Sequence, residues 1–130
     1  MPSRPIPEGY SAVSPYLVVP DAAAFIDFMT GALGAQEIRR FPGAEGRIGH
    51  AEVRFGDSMI MLGEAAPDAQ RWNAMLHVYS EDCDAMYRRA VEAGCTSVRE
   101  PSDNPDGDRR GGVEDRWGNQ WWFATHVGAG

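Results

Sequence analysis

The sequence predicts an α+β fold: two tandem βαβββ modules forming one curved mixed sheet, an incomplete barrel, around a pocket. Three observations carry this. The stretch Phe55-Gly56-Asp57-Ser58 followed by Met59–Leu62 has the same make-up as Trp117-Gly118-Asn119 followed by Gln120–Phe123: aromatic, glycine, small polar residue, apolar strand. An aspartate, an apolar run at helical period and a glycine recur, with Asp21 to Gly34 spanning 13 positions and Asp82 to Gly94 spanning 12. The distance from that glycine to the corner also repeats, at 22 positions for Gly34 to Gly56 and 24 for Gly94 to Gly118. One such unit leaves one face of its sheet uncovered, whereas two can close into a cup.

Residues 1 to 11, with three prolines and a glycine, are expected to be a loosely held arm. Val13 to Val19 reads as a strand, with Pro15 marking an edge or a strand start. Asp21 is placed as the N-cap of a helix whose Phe25, Ile26, Phe28, Met29 and Leu33 share one face, with Gly34 ending it. Gln36 to Phe41 is a strand, 42–49 a loop, and His50 to Phe55 alternates as a half-buried strand does. Gly56-Asp57 turns the chain into Met59–Leu62, and Gly63 to Arg71 is a linker. The order then repeats: strand Asn73–Ser80, a helix capped by Asp82 or Asp84 and stopped by Gly94, strand Thr96–Glu100, a Pro/Gly/Asp loop, and a hairpin from Arg109 to Phe123. Gly118-Asn119 is expected to be its two-residue corner, because both residues tolerate positive φ. The chain is thus one domain over residues 1–130, with modules at 12–64 and 72–126.

Composition narrows the function. A net charge of −7 and a pI near 4.8 disfavour nucleic acid and anionic membrane surfaces as partners. All twelve basic residues are arginine, so no lysine is present for Schiff-base or phosphate-loop chemistry. No apolar run approaches the roughly 20 residues that span a bilayer. The N-terminal MPSRPIPEGY lacks a signal-like apolar core, and a cytoplasmic location is expected. Cys83 and Cys95 bracket a helix, too far apart to bridge at about 1.5 Å per residue, and read as reduced structural thiols.

The stretches SPYLVVPDAAAFIDFMTGALGA, GRIGHAEVRFGDSMIMLGE, SEDCDAMYRRAVEAG and EDRWGNQWWFATH, in this order and spacing, resemble the vicinal oxygen chelate superfamily of glyoxalases, bleomycin-resistance proteins and dioxygenases, and within it the PhnB-like branch. The resemblance implies the glyoxalase/bleomycin-resistance fold and a homodimer. It also implies a divalent metal held by one side chain from the first and last strand of each module. Those positions fall here on Ser14, Ile60 or Met61, Met75 and Trp122, which are not credible ligands for such an ion. No metal or other cofactor is therefore expected. The alternative set is His50, Glu52 and His77, if the three converge; otherwise His50 is a surface or loop-satisfying residue and His77 a pocket histidine.

Alternation places Tyr16, Met61, Met75, His77, Tyr79 and Trp122 on the inner wall of the cup, with Trp121 and Phe123 in the core. Trp122 falls in either pocket or core. Arg109 and Arg110 can reach over the mouth to grip an anion, but the charge pattern favours a solvated turn in which they balance Asp106, Asp108, Glu114 and Asp115. His126 is expected to be solvent-exposed. Three functions compete. The first is a metal-free binder of a small aromatic or cationic compound, of the antibiotic-resistance kind, with Arg110 and the wall residues as contacts. The second is a lyase, isomerase or dioxygenase using a non-standard metal set or His77 as acid/base. The third is an assembly module using its sheet edges.

Overall fold

The computed structural model describes residues 5–128 and divides them into two compact units, one ending at Trp72 and the other beginning at Asn73. Unit 1 contains β1 (Tyr16–Val19), α1 (Ala22–Gly31), β2 (Gln36–Pro42), a short 3-10 turn (Ala44–Gly46), β3 (Ile48–Phe55) and β4 (Ser58–Glu64). Unit 2 contains β5 (Met75–Tyr79), α2 (Cys83–Glu92), β6 (Thr96–Asp103), β7 (Asp108–Glu114) and β8 (Gln120–His126). The sheet orders, β1-β4-β3-β2 and β5-β8-β7-β6, are the same. In each, the first strand runs parallel to the fourth and the other pairs are antiparallel. Two tandem βαβββ modules are therefore what this chain forms.

Each sheet buries one face under its helix. In unit 1, Leu17, Val19, Ala51, Val53 and Leu62 meet Phe25, Ile26 and Met29 of α1, all essentially inaccessible. In unit 2, Val113, Trp121 and Phe123 are fully buried with Cys83, Met86 and Ala90. Burying a large side chain of this kind stabilises the fold by about 1.5–3 kcal/mol. Burial pushes the Cys95 thiol up to about 12 and raises that of Cys83 as well. Both cysteines are free.

Several local expectations change. β1 starts at Tyr16, because Pro15 has no N–H for the ladder; its carbonyl accepts Met61 N at 3.0 Å just before the strand. Asp21 stands at the start of α1, but in left-handed backbone (φ 50°) and with no side-chain cap. Asp82 does cap α2, accepting Ala85 N at 3.1 Å. The first corner is a two-residue Gly56-Asp57 turn, with Phe55 opposite Ser58 and Gly56 at positive φ, the pattern of type II′. The second is not its copy. Glu114 pairs with Gln120, leaving a five-residue loop in which only Gly118 has positive φ. The buried Asp115 carboxylate builds that loop by accepting Trp117 N (2.9 Å), Asn119 N (2.9 Å) and Trp121 Nε1 (2.8 Å).

The arm is also more ordered than expected. Residues 1–4 lie outside the described residues, but Tyr10 N bonds to Pro7 O at 3.1 Å and the Tyr10 hydroxyl donates to Glu52 of β3.

Candidate functional site

The face of each sheet opposite its helix carries the chemistry. In unit 1 the register lines up Tyr16, Met61, Glu52 and Arg39 across the four strands, with His50 and Phe41 opposite each other in the next row. Arg39 reaches this face through a register shift: Glu37 pairs with Val53 and Arg39 with Glu52, so Ile38 is an extra residue. Glu52 is buried (7% exposed) yet fully engaged. One oxygen accepts the Tyr10 hydroxyl and forms an ion pair with Arg39 Nε (3.3 Å), and the other accepts His50 Nε2 (2.9 Å). Burial opposes its ionisation, but the hydrogen bonds from Tyr10 and His50 and the Arg39 charge outweigh that and hold its pKa below the ordinary value. Tyr10, in turn, is pushed up by its bond to this carboxylate. The arm, Ser14, Arg39, Glu52 and Met61 bound a cleft of about 560 Å³.

The same face holds further polar and aromatic contacts. The Tyr16 hydroxyl lies 3.2 Å from His50 Nδ1, and the ring centroids of Tyr16 and Phe41 lie 5.7 and 6.2 Å from that of His50.

In unit 2 the alternation places Met75, His77 and Tyr79 of β5 on the helix-free face, beside Gln120, Trp122 and Ala124 of β8. His77 sits opposite Trp122, which sits opposite Gly112. A Cβ on Gly112 would lie 2.7 Å from the Trp122 ring carbons, so the indole rests directly on bare backbone. Trp122 Nε1 donates to Gln120 Oε1 at 3.1 Å. The His77 and Tyr79 rings are 4.7 Å apart, and Arg110 Nε donates to His77 Nε2 at 3.3 Å.

Arg110 belongs to β7, not to a turn, and pairs with Asp106 (2.7 Å) and Asp108 (3.1 Å). Arg109 pairs with Asp84 of α2 (2.8 Å) and with Asp103 (3.3 Å). Arg110 thus pairs with two of the four acids expected to balance it, whereas Arg109 pairs with none of them and Asp115 is occupied by its own loop. Sequence reasoning gave Asp108 no special place, yet it is buried at 4% exposure and gathers His126 Nδ1 (2.7 Å), the Tyr79 hydroxyl (2.8 Å) and Arg110. Those bonds, that from His126 first, lower its pKa. His126 is solvent-exposed, as expected, but tied at one nitrogen.

Of the positions where the resemblance implies metal ligands, Met61 and not Ile60 points away from the helix, and Ser14 lines the unit 1 cleft. Met75 and Trp122 lie on the face of unit 2. Thioethers, a hydroxyl and an indole already donating to Gln120 do not fit a hard or borderline cation. His50 and Glu52 satisfy each other, and no group of three or more His, Cys, Asp or Glu side chains among the described residues is placed to hold an ion. No helix among the described residues is long and apolar enough to cross a membrane.

Comparison with known proteins accords with this geometry. The uncharacterized protein Rv0887c of Mycobacterium tuberculosis (strain ATCC 25618 / H37Rv) is 37% identical over 127 residues, covering 89% of this chain and 75% of the relative. Among solved structures, TioX from Micromonospora sp. ML1 superposes with a TM-score of 0.75 at 25% identity, covering 90% of this chain and 99% of that one. TnmS3, an antibiotic binding protein from Streptomyces sp. CB03234, does so with a TM-score of 0.66 at 22% identity, covering 90% and 99%. The family model for the Glyoxalase/Bleomycin resistance protein/Dioxygenase superfamily matches residues 11–123, and the chain belongs to that superfamily.

Proposed function

We propose that this protein binds a small planar molecule, aromatic and preferably cationic, on the helix-free face of unit 2, without a metal. The observation that carries the reading is the Trp122 indole lying on Gly112, between an exposed Met75 and an exposed Tyr79. The polar tips are all tied: Trp122 to Gln120, Tyr79 to Asp108, His77 to Arg110. Their orientations are fixed before a guest arrives, while ring and thioether surface stays uncovered, which reduces the entropy lost on binding. Because Arg110 donates to His77 Nε2, the neutral ring carries its proton on Nδ1 and offers a guest one fixed donor. The net charge of −7 favours a cation over an anion. TnmS3, which shares the fold, is itself described as an antibiotic binding protein, which supports an organic guest for this one.

Calorimetric titration with N-methylacridinium and with neutral acridine tests this. The cation is expected to bind more tightly, and Trp122→Ala to weaken it by roughly 3- to 10-fold, the worth of one aromatic pairing. Equal binding by wild type and variant, or none by either compound, overturns the reading. One tightly held metal ion per chain after purification without chelator would instead favour the enzyme alternative, with His77 or a non-standard metal set at its centre.

A further inference from the structure

We propose that Tyr16, His50 and Glu52 of unit 1 form a metal-free relay that makes the Tyr16 phenol a nucleophile toward small activated acyl compounds. The four tyrosines of the chain make the contrast. Tyr10 and Tyr79 donate their hydroxyls to carboxylates, which raises both pKa values, and Tyr87 meets the Ser97 hydroxyl. Among the described residues only Tyr16 places its hydroxyl against an imidazole nitrogen, His50 Nδ1, at 3.2 Å. The opposite nitrogen of that ring, Nε2, lies 2.9 Å from Glu52 Oε2.

The direction of the chain follows from proton counting. Glu52 is ionised at neutral pH and has no proton to give, so in the neutral ring Nε2 carries the hydrogen and donates it. Nδ1 is then a lone pair facing the phenol. A nucleophile, a base and a group orienting the base are the parts an activated hydroxyl needs, and 3.2 Å is within reach for a resting site. Tyr10 and Arg39 occupy the other oxygen of Glu52, which leaves Oε2 to hold the ring. Tyr16 itself is half exposed.

Gly63 belongs to the same construction. A Cβ there would lie 3.1 Å from the Tyr16 hydroxyl oxygen, and its φ is ordinary, so glycine is present for space and not for conformation. The bare strand lets the phenol lean across β4 toward His50.

In the step itself, the Tyr16 oxygen adds to the acyl carbonyl carbon as its proton passes to His50 Nδ1. The bond to the leaving group breaks, the electron pair departs with that group, and His50 returns the proton to it. Tyr16 is left as an ester, which water hydrolyses. His50 is the base; Glu52 and Gly63 are positioning residues.

The test uses N-acetylimidazole at neutral pH with peptide mapping, and no bound ligand, so it fails or succeeds apart from the binding reading. Tyr16 should acetylate faster than Tyr79 and Tyr87 by on the order of tenfold or more, although Tyr79 is the more exposed. His50→Gln keeps a hydrogen-bonding side chain but takes no proton, and should bring Tyr16 down to the rate of Tyr87. Unchanged labelling of Tyr79 and Tyr87 reports that the variant is folded. Glu52→Gln should lower the Tyr16 rate in part and populate the Nδ1–H tautomer of His50 in ¹H–¹⁵N spectra. A Tyr16 rate no greater than that of Tyr79 or Tyr87, or one that survives His50→Gln, overturns the relay; an unaltered rate and tautomer in Glu52→Gln removes Glu52 from it.

Discussion

Gly112→Ala should damage the proposed binding face of unit 2 more than the fold. The added Cβ would stand 2.7 Å from Cδ2 and Cε3 of Trp122, where ordinary carbon contacts begin near 3.4 Å. The backbone cannot yield, because β7 is hydrogen-bonded on both sides, to β6 and β8. The indole must therefore lift by somewhat under 1 Å or change rotamer, breaking its bond to Gln120. Overpacking of this kind costs about 1–3 kcal/mol. Replacing a strand glycine by alanine returns about 0.5–1 kcal/mol of conformational entropy. The net expectation is a loss of up to about 2.5 kcal/mol. Urea unfolding should show a lower midpoint at unchanged slope. The near-ultraviolet circular dichroism of Trp122 should change, and N-methylacridinium binding should fall as it does in Trp122→Ala. A variant as stable as wild type, with the same tryptophan signal and the same affinity, would refute the idea that the indole rests on bare backbone.

Other outcomes follow from the same contacts. Asp115→Ala removes one acceptor from three N–H groups, one of them on the fully buried Trp121, and should destabilise unit 2 by about 3–5 kcal/mol in urea; a cost under about 1 kcal/mol would show that the loop does not depend on it. Arg109→Ala, which breaks solvent-screened pairs more than one-third exposed, should leave the urea midpoint close to that of wild type. The acid limb of stability should carry Glu52, whose folded pKa is lowered. Its contribution is present above the unfolded value of about 4.3 and lost as the pH falls through the folded one. Glu52→Gln should accordingly flatten the fall in stability below about pH 4; an identical acid profile in the variant would count against the clamp of two hydrogen bonds and one ion pair.

The sequence made the architecture legible because its punctuation is local. Proline before Tyr16, glycines after both helices and the Gly56-Asp57 corner each act within a few residues, and alternation put Trp121 in the core and Trp122 on the other face. What stayed hidden depends on partners far along the chain. Gly118-Asn119 looked like a two-residue corner because the reach of Asp115 to Trp121 cannot be read from dihedral preference. Asp108 looked like one loop acid among several, since its donors come from β5, β7 and β8. The Tyr10–Glu52 bond spans 42 positions, and proline content gave no sign that the arm is held. The helix-free face of β2 was legible in principle, because Glu37-Ile38-Arg39 and Ser97-Val98-Arg99 echo each other at the start of equivalent strands.

Those two tripeptides have a consequence of their own. In an uninterrupted ladder Ile38 would stand beside Glu52, and every residue beyond it would swap sides, turning Arg39 and Phe41 toward α1. The supernumerary residue works as a half-period offset, and unit 2 carries the same offset between Ser97 and Arg99. Lengthening or shortening either outer strand by one position at this point therefore rewrites which chemistry stands on the helix-free face while leaving the central strands untouched, giving duplicated halves a way to diverge without rebuilding their cores.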